Sequence, residues 1–257
     1  MDLRSLTRRR LLAAGGAVAL LAGAGVAVIV SNAEHGHRPA AAATPSPTLT
    51  PSVAVQTSQP PPPAAPVRRT VAHDFVAPAA PTSFVISGRG FTIRARVCAM
   101  PAIFPLDPPG DQRHTVCWVR DGFGFKPGSH TATSYVLGHS WAEDPQEVLN
   151  AASSRATRDV LRAKRATYDG VPIFPAKSLL GARITLQTPT GTLGYVVRKS
   201  FGVDKYQLGN IDRVMNQRVP NRVVVITCAE HNGVDYNYNI VLEAQLVSSQ
   251  ARVGADA

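Results

Sequence analysis

Read for its alternation of apolar and polar positions, the chain between about residues 80 and 250 is a succession of short strands. Residues 83–86 and 91–97 flank the turn residues Gly88-Arg89-Gly90, and the second run alternates with period two, so the pair predicts a hairpin. Residues 133–137 predict a buried strand leading into Gly138-His139-Ser140-Trp141. Residues 183–187 and 194–199 flank the turn Thr188-Pro189-Thr190-Gly191, and residues 223–227 and 239–246 complete the set. Two stretches follow a helical period instead. Residues 146–166 carry Val148, Leu149, Ala152, Val160 and Leu161 at helix spacing behind Asp144-Pro145, and residues 211–217 predict a shorter helix. Many short strands with few helices predict a mainly β chain, closed or nearly closed into a barrel.

The pattern changes character before residue 73. Arg8, Arg9 and Arg10 precede an uncharged run from Leu11 to Val30, and twenty residues at the helical rise just cross a hydrocarbon core of about 30 Å. The same residues resemble a twin-arginine export signal, with Ser31-Asn32-Ala33 as a small-x-small cleavage site. A single-pass signal anchor is the preferred reading over a cleaved signal, and both export the rest of the chain. Residues 39–66 hold nine prolines and no charge, so they predict an extended, semi-rigid spacer. The expected organisation is therefore an export segment over 1–31, a Pro/Ala/Thr-rich linker over 32–72, one folded domain over 73–249 and a tail over 250–257.

Charge adds little to that picture. The formal net charge is +10, of which the 1–74 segment holds seven arginines against three acids. The remaining basic residues are scattered without interleaved aromatics, which argues against nucleic acid as a partner. Outside the cell a basic surface fits attraction to an anionic envelope.

The three cysteines carry the chemistry. Cys98 and Cys117 are separated by 19 residues of turn-rich chain and are the expected disulfide, a bridge that would contribute roughly 3 kcal/mol by the loop-entropy argument. No His/Cys spacing there resembles a zinc site, and nothing calls for a metal or cofactor. Cys228 is then the free thiol. It follows the β-branched run Val223-Val224-Val225-Ile226-Thr227, so it is expected where a buried strand meets a polar loop. A thiol needs a nearby imidazole to be a good nucleophile, and the same imidazole can protonate a leaving amine. Of the seven histidines, His139 alone ends an apolar strand, whereas His231 falls in a polar loop.

An export segment, a Pro/Thr-rich spacer, a β-rich domain, Leu137-Gly138-His139 near its middle and Val225-Ile226-Thr227-Cys228 near its end together resemble the sortases, the cysteine transpeptidases of Gram-positive surfaces. The resemblance covers roughly residues 80–247. It implies a closed barrel of about eight strands, with cysteine and histidine on neighbouring strand ends. It also implies acyl transfer: Cys228 would attack a Leu-Pro-x-Thr-Gly-like sorting signal, and His139 would protonate the departing amine. An amine on peptidoglycan or a pilin would then resolve the thioacyl intermediate. Thr227 could position the substrate through its hydroxyl or serve simply as a β-branched strand residue. Sortases carry an arginine on the strand after the cysteine, and here no arginine occurs between Ala229 and Gln250. Asn237 falls near the expected place, and a register shift of two would give its role to Asn239. Such a substitution leaves open an impaired domain that binds sorting peptides or envelope proteins.

Overall fold

The structure is a computed structural model that describes residues 73–102 and 107–252. The expected export segment and spacer lie outside the described residues. Within them no helix is long and apolar enough to cross a membrane.

Ten strands form one continuous sheet: β1 (Ser83–Gly88), β2 (Phe91–Pro101), β3 (Thr115–Arg120), β4 (Thr133–Leu137), β5 (Ala166–Tyr168), β6 (Val171–Pro175), β7 (Arg183–Thr188), β8 (Gly191–Asp204), β9 (Arg222–His231) and β10 (Val234–Ala251). Their order is β10-β9-β4-β3-β2-β1-β7-β8-β6-β5, and β10 also pairs with β8. That last pairing closes eight strands into a barrel and leaves β5 and β6 as a flap continuing from β8. Closure removes the unpaired edges that a sheet of this length would otherwise expose. Among the described residues, two helices, α1 (Asn150–Val160) and α2 (Asp212–Met215), and two short 3-10 turns accompany the strands.

Alternation along the strands sorts apolar side chains into two cores. All eight barrel strands contribute to the first, which holds Phe84, Ile93, Val116, Val136, Ile184, Tyr195, Val225 and Leu242 among others. The second lies on the opposite faces of β4, β8, β9 and β10, under the flap and α2, and holds Tyr135, Leu137, Phe201, Val224, Ile226 and Val241. β9 is buried on both faces, which explains its unbroken β-branched run.

Three sequence expectations change at their edges. The helix expected over 146–166 is confined to Asn150–Val160, because Ala166 and Tyr168 are taken into β5 by pairing with Ile173 and Val171. β9 does not stop near Cys228 but runs on to His231, where Asn232 and Gly233, both at positive φ, turn it into β10. β10 extends to Ala251, so Gln250 and Ala251 join the ladder.

Two cross-links staple the fold. Cys98 and Cys117 stand opposite each other in the parallel pair β2–β3, and the two are disulfide-bonded. At the start of β9, Arg222 is buried. Its Nη1 lies 2.8 Å from Glu243 Oε2, and its remaining N–H groups donate to Thr133 Oγ1 and to the carbonyls of Arg213, Val214 and Asn216. Removing one partner of such a pair leaves a buried charge unmet. Arg222→Met should therefore cost roughly 3–5 kcal/mol in urea unfolding, and Arg222→Met with Glu243→Leu should recover most of the loss. Equal losses in the single and double variants would contradict the pairing.

Candidate active site

The parallel pairing of β4 with β9 sets the site. Its register runs from Thr133 opposite Arg222 to Leu137 opposite Ile226, a constant offset of 89 residues. His139 and Cys228 are separated by that same offset and follow the last paired residues, Leu137 and Ile226, by two positions each. Neighbours in a parallel pair share a face, and this is the face of Leu137 and Ile226, outside the barrel core. β4 ends at Leu137; Gly138 N still donates to Ile226 O at 3.2 Å, and the chain then turns away. Cys228 is thus inside β9 but just beyond the end of its parallel neighbour. It is a free, half-buried thiol.

Why β4 stops there is legible in the packing. A Cβ on Gly138 would come within 2.7 Å of Leu149 Cδ1 and 2.9 Å of Val116 Cγ1, so only glycine lets the helix approach this closely. Leu149 N donates to His139 O at 3.0 Å, and Asn150 accepts from Trp141 N and donates to the carbonyls of Trp141 and Asp144. With β4 gone, the edge of β9 still has Cys228 O and Glu230 N to satisfy. Ser153 of α1, fully buried, does both: its Oγ donates to Cys228 O at 2.7 Å and accepts from Glu230 N at 2.9 Å. The sequence argument missed Ser153; its only signal is a hydroxyl between Ala152 and Ala156 on the helix stripe.

The His139 ring has fixed partners. Nε2 lies 3.0 Å from the Pro108 carbonyl and 3.2 Å from Asp107 Oδ1, both on the loop enclosed by the disulfide. A carbonyl can only accept, so Nε2 carries the proton and, in the neutral ring, Nδ1 is the basic nitrogen. The loop is held in turn by Gln112 O, which accepts from Val148 N, and by Arg113 with Asp144 at 2.8 Å. Nothing in the sequence marks Asp107 or Pro108 for this part.

The remaining candidates separate clearly. Asn239 is paired directly with Cys228 across the β9–β10 ladder and shares its face. Asn237 falls in the irregularity between Tyr236 and Asn239, is exposed, and donates from Nδ2 to Asp204 Oδ2 at 3.0 Å. Thr227 pairs with Ile240 on the barrel-core side; it is buried and its Oγ1 has no hydrogen-bond partner. His231 sits at the end of β9 with Nδ1 2.9 Å from Ser154 Oγ. Arg222, at the far end of β9, is committed to Glu243. Among the described residues no group of His, Cys, Asp and Glu is arranged to hold a metal ion.

Two carboxyls beside the site are displaced upward. Burial raises Glu147, and the positive charge available on His139 offsets only part of that; its Oε2 has no hydrogen-bond partner. Burial likewise raises Glu230, against a backbone N–H from Gly233.

No protein-family model and no curated protein matches this chain. Among solved structures it is similar to sortase A of Listeria monocytogenes, at 13% identity and a TM-score of 0.43, over 68% of this chain and 92% of that one. It is also similar to sortase A of Corynebacterium diphtheriae, at 14% identity and a TM-score of 0.42, over 66% of this chain and 62% of that one. Sortase C-3 of Streptococcus pneumoniae is similar at 15% identity and a TM-score of 0.40, over 68% of this chain and 66% of that one. The barrel assignment rests on the strand order above and the site on the β4–β9 register.

Three outcomes are expected. Alkylation of the non-reduced protein should label Cys228 alone; three labelled thiols would contradict the disulfide. Ser153→Ala should cost about 1–3 kcal/mol in urea unfolding, because it strands two backbone groups, and a loss below that range would contradict the bridging role. A raised carboxyl binds its proton more tightly in the folded chain than in the unfolded one. Glu147 therefore stabilises less as pH rises above its ordinary value of 4.5. Glu147→Gln should melt higher than the parent at pH 7 and converge with it below about pH 4. A lower melting temperature at pH 7 would contradict the assignment.

Proposed function

We propose that this chain is an exported cysteine transpeptidase of the sortase type. The observation that carries the proposal is the β4–β9 register: its offset of 89 residues is the one that separates His139 from the free thiol. Cys228 Sγ attacks the carbonyl that precedes the scissile bond of a Leu-Pro-x-Thr-Gly-like peptide. The carbonyl electron pair moves to oxygen, returns, and expels the amine. His139, having taken the thiol proton as Sγ attacks, gives that proton to the departing amine; it later takes one from the incoming amine, whose attack on the thioester expels the thiolate, and returns it to Sγ. With Nε2 held by Pro108 and Asp107, Nδ1 is the nitrogen left for these transfers.

The oxyanion needs a donor, and no arginine stands on β10 to supply one. Asn239 is the better placed of the two amides, because it faces Cys228 across the ladder while the Asn237 amide is engaged by Asp204. A neutral amide stabilises an oxyanion without contributing charge, so turnover should be slow. We assign Thr227 to packing, since its hydroxyl lies on the face away from Cys228. Export through residues 1–31, tethering to a membrane by 11–30, reach through the spacer and an amine acceptor on peptidoglycan or a pilin complete the reading. The impaired, peptide-binding alternative differs in one respect only: no acyl-enzyme forms.

The deciding experiment incubates the protein with a panel of Leu-Pro-x-Thr-Gly-type peptides and hydroxylamine, read by mass spectrometry. An acyl adduct on Cys228 and hydroxamate product are expected, both absent in Cys228→Ala. His139→Ala should lower turnover by about 10²–10⁴-fold. Asn239→Ala should lower it by roughly 10²-fold and Asn237→Ala by less than about threefold. Folded protein that yields neither adduct nor hydroxamate would overturn the transpeptidase reading in favour of the binding module. The reverse ranking of the asparagines would overturn the donor assignment.

A further inference from the structure

One carboxylate at the edge of the site destabilises the fold and does nothing for it in return. Glu147 is only 8% exposed, its Oε2 is buried without a hydrogen-bond partner, and among the described residues it forms no salt bridge. Buried carboxylates are ordinarily paired or hydrogen-bonded, because an unmet one weakens the folded state. Backbone contacts fix its place. Leu149 N donates to His139 O at 3.0 Å and Asn150 Nδ2 to Trp141 O at 3.0 Å, so the segment that begins at Glu147 is tied to the segment that begins at His139.

The charges that reach Glu147 are those of His139, Asp144, Arg113 and Asp111, and Cys228 is not among them. Most are already answered. Arg113 meets Asp144 through Nε at 2.9 Å and Nη2 at 2.8 Å, and Asp111 meets His114 at 3.0 Å and Arg96 at 3.3 Å. Burial pushes the Glu147 carboxyl up, and His139 is the cation that opposes this most, ahead of Arg113. The other carboxylate on the ring, Asp107 at Nε2, is 73% exposed, so water screens it. The charge left to answer Glu147 is therefore the imidazolium, which exists only while the ring holds a second proton. That proton is the one the chemistry moves. As Cys228 Sγ–H passes its proton to Nδ1, the thiol becomes a thiolate and the ring an imidazolium, with Nε2–H still donating to Pro108 O. A weakly screened carboxylate that reaches the ring and not the thiol favours this ion pair over the neutral thiol and ring.

Resting on the transpeptidase reading, we propose that Glu147 is a positioning residue that acts through His139, its carboxylate stabilising the imidazolium formed when Nδ1 takes the thiol proton. The unmet charge that weakens the resting fold is met during the reaction. Glu147 itself neither gains nor loses a proton in the cycle and touches no reacting atom.

The test compares the non-reduced full chain with Glu147→Gln, His139→Ala and the double variant, each shown by circular dichroism to be folded. Two rates are read at pH 7: alkylation of Cys228 by iodoacetamide, which needs no peptide, and hydroxamate formation from the Leu-Pro-x-Thr-Gly-type peptides. Glu147→Gln should slow alkylation by about threefold or more and turnover by about tenfold or more, while melting higher than the parent. A carboxylate with a merely structural role would not lose reactivity as the fold gains stability. In the His139→Ala background, Glu147→Gln should change alkylation by less than about 1.5-fold, because the ring it acts through is gone. Unchanged alkylation in Glu147→Gln, or the same proportional loss with and without His139, would overturn the proposal. A parent chain that forms no acyl adduct would overturn the transpeptidase reading instead, and the alkylation rates would still decide whether Glu147 acts on the His139–Cys228 pair.

Discussion

The parallel pairing of β4 with β9 is the constraint on which the site depends. A strand pair fixes relative position to within one residue, because a slip by one sends every side chain to the other face. β9 is buried on both faces by β-branched residues, so its register is pinned at its start, where buried Arg222 is bonded to Thr133 of β4 and to Glu243 of β10. The offset along the pair is 89 residues, the same as that between His139 and Cys228. Chemistry at this place is set by packing far larger than the site itself.

The same pairing has to end for the site to exist. Were β4 to continue, its backbone would cover the edge of β9 at Cys228. Gly138 allows Leu149 to close in, α1 takes the place of the missing strand, and Ser153 satisfies the two backbone groups left on the edge. The outcome is a thiol on a fully hydrogen-bonded strand whose flank is open to a reactant. The disulfide-closed loop then fixes the imidazole from the outer side through Pro108 and Asp107. The start of α1 serves both, since Leu149 N holds His139 O and Ser153 holds the strand edge at Cys228.

Much of this was legible in the chain. The β-branched run before Cys228, the hairpin at Gly88-Arg89-Gly90 and the alternation of residues 91–97 follow local rules, and each became a strand. The disulfide followed from the odd cysteine count. What could not be read were features that depend on distant partners. The helix over 146–166 was overextended because its period continues past Val160, while tertiary pairing with β6 claims Ala166–Tyr168. The end of β9 was misplaced because the polar residues after Cys228 suggest a loop, yet Tyr236 and Asp235 pair with Ala229 and Glu230. The irregularity that separates the roles of Asn237 and Asn239 leaves no mark in a sequence of alternating Tyr and Asn. Ser153, Asp107 and Pro108 act through contacts formed only when α1 and the loop meet β9 and His139.

The most direct test of the account is a cross-link. Residues side by side on parallel strands have Cα atoms within the span a disulfide bridges, about 4.4–6.8 Å. In His139→Cys, mild oxidation should join residues 139 and 228, giving a single cross-linked tryptic species by mass spectrometry beside the Cys98–Cys117 bridge. Folded His139→Cys protein in which both thiols stay free and alkylatable after oxidation would contradict the placement of histidine against cysteine.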